Sequence, residues 1–202
     1  MRCTRHAHFL AALTATGLLA LPHVSSALPP AKAPDHTAVY RQTTKLTRDG
    51  KPEMRVETMI ITVAGAKSRW LRERDGQTTI FDRNKKMMTT WGGEIEDKVA
   101  VQRTLAAPRS DWEFGYDMLA SGGSPKEGAS ATIAGQTCAI LQFETKRFGS
   151  PELCVTDDGI VSRLILDDKE GGAHVTFEAE KISRGPVAPD TFSLPAGFQL
   201  YE

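Results

Sequence analysis

From residue 37 onward the apolar and polar positions alternate in short runs, and turn residues separate the runs, which is the pattern of consecutive antiparallel strands. Residues 37–46 and 53–63 flank Arg48-Asp49-Gly50-Lys51-Pro52, where Asp-Gly accepts the positive φ of a tight hairpin turn. Within 53–63, Met54 and Val56 share one face, whereas Met59, Ile61 and Val63 share the other. This change of phase predicts a bulge or bend near Thr58 and hence a curved sheet. Gly65, Asp75-Gly76 and residues 82–86 then divide three further runs, 68–74, 77–81 and 87–91, giving a meander of about five strands.

The pattern changes in the middle of the chain. Ser110-Asp111-Trp112-Glu113 fits a capping box, and Gly122-Gly123 supplies a stop, so a short helix is predicted with Trp112, Tyr116 and Leu119 on one face. A helix this short is not stable alone and is expected to dock as a lid on the sheet, with Trp112 buried. After a Gly/Ser-rich loop at 122–130, strands return at 137–145, 152–156, 160–166 and 173–182. The last alternates most cleanly, with Val175, Phe177 and Ala179 facing in and His174, Thr176, Glu178 and Glu180 facing out. The whole predicts an all-β fold with a minor helical part: a curved antiparallel sheet of about nine or ten strands with one or two short lid helices.

The first 27 residues stand apart. Arg2 and Arg5 precede an uncharged run of 13 residues, 9–21, and Ser25-Ser26-Ala27 places small residues where a signal peptidase reads. The run is shorter than the roughly 18 to 20 residues a bilayer span needs, so a secretory signal cut after Ala27 is expected, not an anchor. Cys3 precedes the apolar run and cannot be a lipid-attachment cysteine. Residues 28–36 carry three prolines and no periodicity and are expected to form a disordered leader to one domain at 37–202. The mature chain would have 202 − 27 = 175 residues and a formal charge of (25 − 2) − 25 = −2. It has no basic field to hold nucleic acid. The expected location is the periplasm.

Candidate chemistry is sparse. Cys138 and Cys154 remain in an oxidising compartment without C-x-x-C spacing, which favours a structural disulfide over a catalytic or metal pair. The bond requires a hairpin tip near Lys146 with Cys138 opposite Cys154, and Pro151 then sits on an edge or in a bulge. Asp157-Asp158-Gly159 and Asp167-Asp168-Lys169-Glu170 resemble calcium ligands in composition, but each coincides with a predicted turn and lacks the spacing of a calcium loop, so turn chemistry is the better reading and no metal is expected. The mature chain has two histidines, His36 in the leader and His174 on a solvent face, and no G-x-S-x-G, H-E-x-x-H or phosphate loop. No cofactor or catalytic residue is assigned. Met54, Met59, Met87, Met88 and Met118 all lie in or beside the first meander and the short helix. Such a cluster either fills a core or lines an adaptable apolar groove.

The segments "DGQTTIFDRNKK", "IAGQTCAILQFE", "ELCVTDDGIVSRL" and the closing "PDTFSLPAGFQLYE", behind an export signal, resemble the bacterial lipoprotein-carrier (LolA/LolB-like) superfamily, with the nearest likeness to a DUF4412-like branch of unknown function. The resemblance implies an unclosed half-barrel whose concave apolar face, covered by short helices, accommodates acyl chains. On that basis the expected function is non-catalytic binding of a lipid, acyl chain or lipidated protein. The candidate lining is Met54, Met59, Ile61, Trp70, Phe81, Met87, Trp91, Trp112, Leu141, Phe143 and Phe177. The rival is an envelope structural or protein-interaction module with a self-filled core, and a hydrolase without a recognisable motif stands third. An unfilled apolar cavity favours binding, whereas a packed concave face with exposed apolar residues elsewhere favours the rival.

Overall fold

The structure, a computed structural model, describes residues 33–105, 124–144, 149–168 and 173–202. The described residues form one twelve-stranded sheet. Strands β1 (His36–Arg48), β2 (Lys51–Ala64), β3 (Lys67–Arg72), β4 (Thr78–Asp82), β5 (Met87–Trp91) and β6 (Val99–Thr104) make one antiparallel meander. A second consists of β7 (Ser124–Ile133), β8 (Gln136–Gln142), β9 (Glu152–Thr156), β10 (Val161–Asp168) and β11 (Ala173–Arg184). The two join because the first strand pairs with the last of the second meander, β1 with β11. β12 (Gln199–Tyr201) adds to β6 in parallel, and the outer edges β12 and β7 leave the sheet open.

Turn chemistry explains the first hairpin. Asp49 and Gly50 both take positive φ, 51° and 73°, and the two-residue turn brings Arg48 opposite Lys51. From there β1 and β2 pair without interruption back to His36 and Val63. The bulge expected near Thr58 is therefore absent from this pair. Met54 and Val56 simply lie on the outer face of an unbroken strand. The ladder irregularities fall instead at Val39/Tyr40 between β1 and β11, at Val161/Arg163 between β10 and β9, and at Pro125/Ser130 between β7 and β8.

Three strands escaped the sequence pattern: β6, β7 (which covers most of the expected Gly/Ser loop) and β12. The predicted lid helix and Trp112 lie outside the described residues. Among the described residues the helical element is a single 3-10 turn, Pro189–Phe192, and no helix is long and apolar enough to cross a membrane. His36, expected in the leader, opens β1 and is fully buried, paired with Val63 on one side and Arg184 on the other.

The concave face carries the main core. Leu141, Leu153, Leu164 and Phe177 stand opposite one another across β8, β9, β10 and β11, and all are buried. A second row runs Ala38, Ile61 and Trp70, and Phe81 of β4 packs on Trp70 with ring centroids 5.1 Å apart. Tyr40 belongs to this core, and its buried hydroxyl donates to the Val161 carbonyl at 2.8 Å, satisfying a polar group that burial would otherwise make costly. The convex face is polar in the middle, where Arg163 reaches Glu152 at 2.9 Å and Arg41 Nε reaches Glu180 at 2.8 Å.

Near β4–β6 the convex face is apolar. Ile80, Trp91 and Ala100 form a second cluster, and Phe192, Leu194 and Phe198 of the C-terminal segment cover it. Trp91 meets Phe198 edge-on at 6.2 Å. The closing segment thus straps the outer side of the first meander before β12 ends it.

Cys138 and Cys154 are bonded, with Cα atoms 5.3 Å apart. Their register differs from the expected one: Cys138 faces Thr156, and Cys154 faces Ile140. The bond runs diagonally between residues two places apart on the same face, a separation that a twisted antiparallel pair brings within reach. Pro151 sits just before β9, where its carbonyl accepts from Phe143 N at 3.1 Å while its ring nitrogen has no N–H to return, so this pair keeps one of its two ladder bonds.

One glycine ties two turns together. Gly92 has φ +74°, and a Cβ there would stand 2.7 Å from the Gly76 carbonyl oxygen. Alanine would meet both backbone strain and a clash with main chain that cannot swing aside. Gly92→Ala is expected to cost roughly 1–3 kcal/mol, read as a lower urea midpoint at unchanged slope. An unshifted midpoint would show that the turn relaxes freely.

Candidate functional site

The rows of the concave face change character along their length. The row of Leu141, Leu153, Leu164 and Phe177 continues into Gln42 of β1 and Glu57 of β2, and the row containing Tyr40 and Met59 continues into Arg72 of β3. An apolar core therefore grades into a polar rim without leaving the face. At that rim lies a recess of about 220 Å³. Its floor is Met59 and Trp70, and its walls are Gln42, Thr44, Arg55, Glu57, Arg72, Gln77 and Thr79.

Charge in the recess is organised around Glu57, whose side chain is only 7% exposed. Arg74 Nη1 stands 3.4 Å from its carboxylate, and Arg55 Nε and Arg72 Nε each stand 3.9 Å away. A buried carboxylate needs such partners to remain charged at tolerable cost. Arg72 is itself fixed by Asp75, through Nε to Oδ1 at 2.9 Å and Nη2 to Oδ2 at 2.7 Å, and this pair holds the Asp75 carboxyl below the usual carboxylate range. The Gly76–Gly92 contact steadies the same turn, so the rim is scaffolded from β3 through β5.

The sequence-predicted residues separate into three groups. Met59, Ile61, Trp70, Phe81, Leu141, Phe143 and Phe177 share the concave face and are buried there. Met54 lies on the other side of β2 and is 67% exposed. Met87 and Trp91 also lie on the convex side, because Asp82 pairs with Met87 and Phe81 with Met88. Met88, not Met87, accompanies Phe81. Met87 and Trp91 instead line a separate convex-face recess of about 200 Å³ beside Phe192 and Leu194. Sequence reasoning missed Tyr40, Leu153 and Leu164 on the concave face, and it missed the whole polar rim. The strict period of two, counted from the Asp49-Gly50 turn, would have aligned Arg55 and Glu57 with Met59.

Two other polar groupings have the composition of reactive sites. His174 Nδ1 meets Asp167 Oδ1 at 2.6 Å and its Nε2 lies 3.3 Å from the Thr176 hydroxyl, an Asp–His–hydroxyl chain of the kind hydrolases use. It lies on the convex face, and none of the three residues lines either recess. At the opposite corner Asp158 accepts from Arg184 Nη2 at 3.0 Å and from the Thr156 hydroxyl at 2.6 Å, so this turn aspartate is committed to structure.

That corner also carries a pH response. His36 Nδ1–H donates to the Pro34 carbonyl at 2.8 Å while Nε2 is buried without a partner among the described residues, and burial pushes the His36 pKa below 6.5. The folded state binds fewer protons there than the unfolded chain, so its contribution is present above pH 6.5 and fades as pH falls below it. Asp158, drawn down to about 2 chiefly by hydrogen bonding to Arg184, adds a second loss as pH falls from 3.8 toward 2. The expected result is a decline of the urea midpoint in two acid steps. His36→Gln should remove the upper one, and an identical upper step in that variant would contradict the assignment.

No family model matches the chain, and no curated protein matches it either. The DUF4412-like assignment therefore gains no support. Solved structures do match. An uncharacterized conserved protein from Thermus thermophilus is 9% identical, with 85% of this chain and 91% of that chain covered and a TM-score of 0.56. A LolA superfamily protein from Nitrosomonas europaea is 9% identical over 83% of this chain and 93% of that one, with a TM-score of 0.46. MucB, solved in complex with MucA(peri), is 18% identical over 83% of this chain and 57% of its own length, with a TM-score of 0.49. At these identities the likeness concerns the fold alone, and the chain is similar in fold to the uncharacterized Thermus thermophilus protein.

Proposed function

We propose that this chain is an exported, non-catalytic binding protein that holds an amphiphile, whether a lipid, a free acyl chain or the acylated end of a protein, against the concave face of its open sheet. The observation that carries this reading is the continuity of the rim recess with the apolar core. Met59 and Trp70 form the recess floor and belong to the same face as Ile61 and Phe81. A ligand with a polar end and an apolar end matches that gradient, the first facing Gln42, Arg55 and Gln77 and the second displacing side chains of the core. The Cys138–Cys154 bond fits an oxidising compartment, in keeping with an export signal at residues 1–27.

Native mass spectrometry of the protein isolated from its own cells, followed by lipid extraction, tests this. A copurifying acyl-bearing species is expected, and protein of bare polypeptide mass in the periplasmic fraction would count against it. One observation favours the rival, a protein-interaction module: the concave apolar residues are already packed on one another, while Met54 and Val56 stand exposed on the convex side of the first hairpin. Under that reading, bare protein would capture a partner through the hairpin, and loss of Met54 and Val56 would abolish the capture.

A further inference from the structure

We propose that the rim recess is an oxyanion site, with the Arg55 guanidinium as its principal ligand-binding group, and that the amphiphile taken up by this chain carries a carboxylate, phosphate or sulfate head. The inference rests on the amphiphile-binding reading and adds the chemistry of the head.

Of the two arginines that line the recess, Arg55 has the looser contacts. Arg72 spends its fork on Asp75 in two short bonds, and Arg74 Nη1 is directed to Glu57. Arg55 has only long contacts, Nη2 to Glu53 at 3.5 Å and Nε to Glu57 at 3.9 Å, and its side chain is 42% exposed at the recess wall. A guanidinium presents planar donors that suit a two-oxygen anion, and among the described residues the carboxylates near Arg55 reach it only at 3.5 and 3.9 Å.

Trp70 supplies an independent observation. Its ring is part of the recess floor, and its indole N–H, closed to solvent in the free protein, has no acceptor among the described residues. Native proteins seldom leave a buried donor unpaired, and an oxygen of a bound head would satisfy it. A cationic head is disfavoured, because the buried Glu57 that would attract it already has three guanidiniums within 3.4 to 3.9 Å. Free anions such as phosphate share the chemistry of the head but lack the tail, so they serve to distinguish a lipid from a small solute.

The test is calorimetric titration of the delipidated full chain with dodecanoate, dodecyl phosphate, dodecyl maltoside and inorganic phosphate, each below its micelle concentration where one applies, in the native protein and in Arg55→Gln. The two anionic amphiphiles are expected to bind about tenfold tighter than the maltoside, as one charge-assisted pair gives. Arg55→Gln should erase that preference, bringing the two anionic amphiphiles down to the affinity of the maltoside for the same variant. Trp70→Phe, which keeps the ring and removes the N–H, should weaken the anionic amphiphiles selectively. Equal binding of all three amphiphiles, or a preference that survives Arg55→Gln, overturns the oxyanion site and leaves amphiphile binding standing. Binding of inorganic phosphate as tight as that of dodecyl phosphate overturns the amphiphile reading and keeps the anion site. Absence of binding by every probe overturns both.

Discussion

Loss of the Cys138–Cys154 bond should lower the stability of the fold by about 3 kcal/mol, the loop-closure entropy of a crosslink spanning 16 residues. The bond pins β8 to β9, whose concave residues Leu141 and Leu153 face each other in the core row. Both cysteines are buried, so neither replacement nor reduction is absorbed at the surface. The Cys138→Ala/Cys154→Ala double variant should show a lower urea midpoint than the oxidised protein and should no longer respond to reductant. A midpoint within about 0.5 kcal/mol of the native protein, the range of neutral surface changes, would contradict the account.

Removal of the Phe81 ring should cost about 3–5 kcal/mol, the usual penalty for emptying a buried aromatic site. Phe81 is 2% exposed and packs at a tilt against Trp70, so its loss also loosens the floor of the rim recess. Met87, six residues later, points to the other face. Met87→Ala is expected to cost less than about 1 kcal/mol and to leave ligand affinity unchanged, whereas any Phe81 variant that remains folded should bind amphiphiles more weakly. Equal stability losses at the two positions would contradict the assignment of faces. Denaturation curves of the two variants, measured side by side, decide this.

What could be read from the sequence depended on whether local chemistry settled the register. Asp49-Gly50 did settle it: the turn needs two positive φ values, and the pairing of β1 with β2 follows from the turn alone. At β5 the run Met87-Met88-Thr89-Thr90-Trp91 is apolar on both sides of the strand, so periodicity cannot say which side is concave. The answer comes from Phe192, Leu194 and Phe198, about a hundred residues downstream, which give Trp91 a second apolar layer outside the sheet. The disulfide was legible as a pair of cysteines but not as a register, because same-face diagonal positions are within reach as well as opposed ones.

His36 shows the same limit from another direction. A histidine just after a proline-rich stretch reads as exposed leader, and its burial follows from pairing with Val63 and Arg184, both remote in sequence. The rim was illegible because charged residues alternating with Met59 along β2 look like a solvated strand end. Only when β3 brings Arg72 alongside, and the Asp75 turn brings Arg74, does Glu57 become a buried carboxylate among guanidiniums. The apolar half of the candidate site was thus visible as a pattern, and the polar half exists only in three dimensions.

The central claim, that an acyl chain enters the concave face through the rim, is tested most directly by a chain-length series with a constant neutral head. Octyl, decyl and dodecyl maltoside, titrated calorimetrically below their micelle concentrations, should bind with affinity rising at each step. Each buried methylene is worth about 0.8 kcal/mol, or roughly fourfold in affinity. The account predicts that rise, with little dependence on salt for these uncharged heads. Affinities that do not change with chain length, or no binding by any member, would contradict it and leave a sheet filled by its own side chains as the better description.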